Sequence, residues 1–263
     1  MTTATLTFRG VDIAYEVHGN AGPWVTFSHS LGCDRHLWRR QIDVLAGRCR
    51  ILSHDLPGHG ESGAGPEPGS LGLLAADVRA LMDHLAIEKT HFVGISIGGM
   101  IGQTLALDSP GRIDRLVLAN TTAYMPPPVV QLWAQRIALA REQGLTNIAQ
   151  ASLERWFPPA YRAAHPERIA EMAQVFAATS VAGYVTCSQA IMGLDTRQRL
   201  RDIACPVLIL GGTEDPGAPI EALRLMQQGI TGAELMLLAG AGHLSCVDAA
   251  DDFTAALIRF LCL

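Results

Sequence analysis

The chain has 263 residues, 49% of them hydrophobic and 17% charged, with a mean hydropathy of +0.21, which excludes intrinsic disorder and allows a sizeable core. A formal net charge of −5 and an isoelectric point near 6.0 argue against nucleic acid or an anionic membrane as a partner. No apolar run reaches the roughly 18 residues of a membrane helix, the N-terminus lacks the basic start and apolar stretch of a signal peptide, and the six cysteines form no C-x-x-C pair, so the expectation is a cytoplasmic protein with reduced thiols.

In chain order, Thr5 to Val17 alternates apolar and polar residues about Arg9-Gly10, which predicts an N-terminal β-hairpin. Trp24–Ser28 predicts a short buried strand, followed by the loop His29-Ser30-Leu31-Gly32. A strand over Arg50–His54 runs into the loop Asp55–Ser62, and Ser70 to Leu85 carries apolar residues at 74, 78, 81, 82 and 85, the spacing of an amphipathic helix. Strand His91–Gly94, helix Met100–Asp108 and strand Arg115–Asn120 follow. Strands that alternate with helices and are near-continuously apolar predict an α/β fold, a mostly parallel eight-stranded sheet with helices on both faces.

The alternation stops at Tyr124. Met125-Pro126-Pro127-Pro128 breaks the chain, and up to about Asp195 the pattern is helical. Val130, Trp133, Ala134 and Ile137 mark one face of the first helix, Pro166 suits the opening of another, and Ser180 the cap of a third. Strands resume at Pro206–Gly211 and Leu235–Leu238, and a helix from about Asp248 to Leu261 closes the chain. The division expected is a core of residues 1–122 and 196–263 with a helical cap over 123–195.

The strand His91–Gly94 ends in Gly94-Ile95-Ser96-Ile97-Gly98, a G-x-S-x-G pattern. A sharp strand-to-helix turn would hold Ser96 in a strained conformation, with side-chain-free neighbours where backbones pass. A serine hydroxyl is a weak nucleophile that needs a base, and the base needs an acid to orient it. His243, in Gly240-Ala241-Gly242-His243 just past the last strand, is the best-placed base, and Asp215, in Thr213-Glu214-Asp215-Pro216, the best-placed acid. The order Ser, Asp, His, each beyond the carboxyl end of a predicted parallel strand, makes Ser96, Asp215 and His243 the candidate catalytic residues. The N–H groups of Ile97 and Leu31 are the candidate oxyanion donors. No cofactor is expected, and no histidines and carboxylates show metal-ligand spacing on one element.

With these residues in view, the chain resembles an α/β-hydrolase, and within that superfamily the 3-oxoadipate enol-lactonases. The resemblance is carried by Ser28–Gly32, Gly94–Gln103, Leu116–Thr122, Glu154–Phe157 and Gly212–Pro216, and it departs at His29 and Ile97, where that family usually has Asn and Met. The resemblance implies a cofactor-free enzyme that opens an enol-lactone with a carboxymethyl arm, a small-molecule partner, and a place in aromatic degradation. A cation for that arm is expected at Arg136, one helical turn beyond Trp133, which would wall the pocket. A general carboxylesterase, a perhydrolase or a carbon–carbon bond hydrolase would use the same three catalytic residues. A ligand receptor on the same scaffold would keep them without turnover. Homo-oligomerisation is left open.

Overall fold

The computed structural model describes residues 3–263. Strands β1 (Ala4–Phe8) and β2 (Val11–His18) form the predicted hairpin, with Phe8 opposite Val11. The two turn residues, Arg9 and Gly10, have φ of 53° and 75°, the pair of positive values whose twist matches that of the flanking strands. A non-glycine residue there is unusual, and Arg9 is anchored by an ion pair with Asp77 and a 3.1 Å hydrogen bond to the Leu73 carbonyl.

The chain then alternates through β3 (Trp24–Ser28), α1 (Arg39–Leu45), β4 (Arg50–His54), α2 (Leu71–His84), β5 (Thr90–Ile95), α3 (Ile97–Asp108) and β6 (Ile113–Ala119). Five helices follow: α4 (Pro127–Gln143), α5 (Thr146–Trp156), α6 (Pro159–Ala164), α7 (Pro166–Ala178) and α8 (Val181–Met192). The core resumes with β7 (Val207–Gly212), α9 (Ile220–Gly229), β8 (Glu234–Leu238), α10 (Ser245–Asp248) and α11 (Ala250–Leu261). The eight strands are ordered β1-β2-β4-β3-β5-β6-β7-β8, with β2 antiparallel to both its neighbours and the rest parallel. β5 lies inside the sheet and is buried at every residue, as its apolar run requires.

Several helices depart from the sequence-based expectation. The helix expected from Met100 begins at Ile97, because the glycines that look unfavourable for a helix are the ones that let its first turn pass close to the sheet. The closing helix begins at Ala250 and is preceded by the separate short turn α10. Helices α1 and α9 had no counterpart in the pattern reading, although Pro219 ahead of Ile220 and the apolar spacing Leu223, Met226, Ile230 mark α9. In α4 the buried residues are Ile137 and Ala140, while Ala134 is exposed, so the helix is rolled away from the face the spacing suggested.

The helical insertion is pinned to the core at several points. Tyr124 and Asp195 form an antiparallel bridge at its stem, flanked by bonds from Met125 N–H to the Leu194 carbonyl (3.1 Å) and from Thr196 N–H to the Ala123 carbonyl (2.9 Å). Ser180, the predicted cap of α8, accepts from Gly183 N–H at 3.0 Å, and its own N–H donates to the Gly58 carbonyl at 2.9 Å. The Asp55–Ser62 loop is therefore the seat of the insertion. Among the described residues no single helix is long and apolar enough to cross a membrane.

Arg35, 2% exposed, ties this seat to the sheet. Its guanidinium pairs with Asp55, and with Glu16 and Glu61 at 2.9 Å each, while its backbone N–H donates to Asp55 Oδ1 at 2.7 Å. Removing one partner of such a buried pair leaves the other charge uncompensated. Arg35→Met is expected to lower unfolding free energy by about 3–5 kcal/mol in urea titrations, and Arg35→Met with Asp55→Asn to recover part of the loss.

Candidate active site

Ser96 joins β5 to α3 with φ 55° and ψ −120°, the strained turn that the glycine spacing predicts. The requirement for glycine is steric. A Cβ on Gly98 would lie 2.1 Å from the Ser28 carbonyl oxygen, and one on Gly94 2.2 Å from the Gly98 carbonyl oxygen. The turn is further held by Thr121 Oγ1, which donates to the Ser96 carbonyl at 2.8 Å, and by Ser96 N–H, which donates to the Ala119 carbonyl at 2.9 Å.

Asp215 follows β7 and His243 follows β8, and their side chains meet: His243 Nδ1 lies 2.9 and 3.0 Å from the two Asp215 carboxylate oxygens. The carboxylate also accepts from Asn120 Nδ2 at 3.0 Å and Gly217 N–H at 2.7 Å. Burial alone would push this carboxyl up, but His243, Asn120 and the Gly217 N–H outweigh it and hold the pKa below its ordinary value. Asp215 is thus a fixed anion that places the ring proton on Nδ1 and leaves Nε2 for proton transfer. Ser96 and His243 line one cavity, although no direct hydrogen bond joins them.

Asn120, directly after β6, was not singled out from the sequence. It carries φ 44°, receives a 2.5 Å hydrogen bond from Ser245 Oγ on its Oδ1, and donates to both Asp215 and the Gly242 carbonyl. Asp248 was missed as well. It accepts from Gly242 N–H at 2.7 Å, and burial raises its pKa to about 6. His243 N–H donates to the Trp156 carbonyl at 2.8 Å, so the last turn of α5 also fixes the histidine loop.

Leu31 and Ile97 border the same region. Ile97 opens α3, so its N–H has no acceptor within the helix, and the Leu31 N–H has no backbone acceptor among the described residues. The loop that holds Leu31 is set by His29, one of the two departures from the enol-lactonase pattern. Leu56 N–H donates to His29 Nε2 at 2.9 Å, so Nδ1 carries the proton and bonds the Ser30 carbonyl at 2.8 Å. Burial lowers the pKa of His29 to about 4, which keeps the ring neutral and this tautomer in place. The other departure, Ile97, is fully buried and acts through its backbone position.

Between core and insertion lies a cavity of about 580 Å³, lined by Ser30, Leu31, Ser96, Asn120 and His243 from the core and by Trp133, Arg136, Ser152, Arg155 and Tyr184 from α4, α5 and α8. Trp133 and Arg136 both face it, with the guanidinium carbon 4.9 Å from the indole centroid and Nη2 donating to Ser152 Oγ at 2.9 Å. The structure therefore brings Ser96, His243, Leu31, Trp133 and Arg136 around one space, with Asp215 bonded to His243 and Ile97 directly beside Ser96. Arg155 and Tyr184 were not foreseen, because helical spacing does not tell which of several arginines on the insertion turns inward. Among the described residues no group of three or more His, Cys, Asp and Glu could hold a metal ion.

Comparison with known proteins agrees with this architecture. A family profile described as the α/β-hydrolase fold matches residues 17–250. The chain is 36% identical to a 3-oxoadipate enol-lactonase of Acinetobacter baylyi, over 96% of this chain and 94% of that one. It is 31% identical to the putative carbamate hydrolase RutD of Agrobacterium fabrum, over 94% and 97%. Among solved structures, the enol-lactonase of Burkholderia xenovorans superposes with a TM-score of 0.95 at 35% identity, covering 99% of this chain and 100% of that one.

Behind the Leu31 loop, burial also lowers the pKa of His54 and His59, each to about 3. All three rings are neutral when folded but bind a proton near pH 6.5 when unfolded. The stability they contribute is complete above about pH 6.5 and is lost as pH falls through about 4 and 3. Melting temperature followed by circular dichroism is expected to drop steadily below pH 6.5, and less steeply in His54→Gln.

Proposed function

The chain belongs to the α/β-hydrolase family, and we propose that it opens a small enol-lactone bearing a free carboxylate through a serine acyl-enzyme. The observation that carries this reading is a single cavity with the Ser96 turn and the Asp215–His243 pair on its core side and Arg136 over Trp133 on its cap side. The enol-lactonase relatives support 3-oxoadipate enol-lactone as the substrate, and a cytoplasmic role in degrading aromatic compounds is part of the same proposal.

In this mechanism Ser96 Oγ adds to the lactone carbonyl carbon while His243 Nε2 takes the hydroxyl proton. Asp215 stabilises the imidazolium that forms. The carbonyl oxygen becomes an oxyanion held by the Leu31 and Ile97 N–H groups at the N-terminus of α3. Collapse breaks the ring C–O bond, and the departing enol oxygen receives the proton from His243 and tautomerises to a ketone. A water then adds to the acyl-enzyme, giving a proton to His243, which passes it to Ser96 Oγ as the ester C–O bond breaks and a second carboxylate is released. Through both steps Arg136 holds the carboxylate already present, with Trp133 fixing the plane of its guanidinium.

The carbamate hydrolase relatives suggest another substrate. A carbamate carries its charge at the reacting carbon, so it gives the cap cations no role; an acid-bearing lactone does.

The test compares the purified protein on 3-oxoadipate enol-lactone, p-nitrophenyl acetate and simple neutral lactones. The expected result is a kcat/KM for the acidic lactone about 100-fold or more above the neutral substrates, a loss on the order of a million-fold in kcat for Ser96→Ala, and a raised KM for the lactone in Arg136→Met. Equal rates across the panel would make it a general esterase, and no turnover of any substrate would favour a receptor.

A further inference from the structure

The cap side of the cavity holds more positive charge than Arg136 alone accounts for. Arg155, on α5, lines the same space, and its guanidinium has neither an ion pair nor a hydrogen bond among the described residues. Burial, and then the nearby Arg136, lowers its pKa to about 10, as expected of like charges sharing one enclosure. Arg136 has no carboxylate partner either. It uses one N–H on Ser152, whose own hydroxyl proton is given to the Ile148 carbonyl at 2.9 Å. Tyr184, on α8, lines the cavity from a third helix; it is fully buried, and its phenolic oxygen meets only the Ser188 hydroxyl one turn further along the helix.

Two guanidinium groups without a carboxylate partner on one side of a cavity favour a ligand that brings an anion to them. Among the described residues no carboxylate answers them: Asp215 is taken by His243, Asn120 and Gly217, and Glu221, which lines the cavity, is exposed on α9 of the core. A carboxylate fits: its two oxygens offer about four acceptor sites, enough for one bidentate arginine fork, one N–H of the second arginine and one phenol O–H.

We propose that Arg155 and Tyr184 join Arg136 in one anion subsite on the cap, and that this subsite selects lactones and esters carrying a second, free carboxylate. The proposal rests on the hydrolase reading above and specifies its substrate class. Ring opening of such a substrate creates a further carboxylate at the Ser96 end, so the product is a dicarboxylate spanning cap and core. Free dicarboxylates of similar length are therefore ligands of the same cavity.

Two measurements test this. In the first, Ser96→Ala protein is titrated with adipate by calorimetry, with and without Arg155→Met, Arg155→Lys or Tyr184→Phe. In the second, the active protein and the same three variants are assayed on mono-p-nitrophenyl glutarate and on p-nitrophenyl butyrate, acidic and neutral esters of similar length. Arg155→Met is expected to weaken adipate binding about 10- to 100-fold and to lower the acid-to-neutral ratio of kcat/KM by a similar factor through KM. Tyr184→Phe shows a smaller loss in both, and Arg155→Lys recovers part of it. Adipate affinity and ester ratio left unmoved in folded variants would overturn the proposal, as would a wild-type enzyme that hydrolyses both esters without preference. If neither ester is cleaved but adipate binds in an Arg155-dependent way, the hydrolase reading fails and the subsite stands.

Discussion

The architecture depends on how closely two backbones approach at the end of β5. The first turn of α3 passes so near the end of β3 that the Cβ position of Gly98 falls 2.1 Å from the Ser28 carbonyl oxygen. Only glycine permits this, and the consequence reaches in two directions. It forces Ser96 into its positive-φ turn, and it sets the start of α3 against the exit of β3, from which the Leu31 loop begins. In the proposed mechanism the nucleophile and the oxyanion donors have to be held within fractions of an ångström, and one steric contact would serve both.

Around that contact the polar groups of the core form a connected chain. Ser245 bonds Asn120, Asn120 bonds Asp215 and the Gly242 carbonyl, and Asp215 bonds His243. Each link fixes the donor or acceptor role of the next, which is how a low-dielectric interior can hold one imidazole tautomer. His29 repeats the principle on the other side: a buried ring, clamped between the Leu56 N–H and the Ser30 carbonyl, sets a loop rather than moving a proton.

The helical insertion differs in electrostatic character. Among the polar groups it turns to the cavity are two arginines, whereas the core contributes the Ser96 hydroxyl and the His243 imidazole. It is also not loosely attached, since the Trp156 carbonyl accepts from His243 N–H and Ser180 is bonded to the Gly58 carbonyl. The segment that carries the cavity's cations thus also helps position the histidine.

Much of the fold was legible in the sequence because it is governed by local rules. Alternation marked the N-terminal hairpin, near-continuous apolar runs marked the inner strands, 3.6-residue spacing marked helices such as α2, glycine spacing marked the Ser96 turn, and Ser180 and Pro166 marked two helix starts inside the insertion. Ser96, Asp215 and His243 could be chosen because strand ends on a parallel sheet are predictable places. The tertiary structure alone decided what depends on contacts between segments distant in the chain. That Asn120 braces Asp215, 95 residues away, that His29 is a neutral clamp, and that Arg155 and Tyr184 share a cavity with Arg136 follow from how helices roll and where loops meet. Periodicity says which face of an element is apolar; it does not say which polar group of another segment will stand opposite, because that is set by packing across the whole chain.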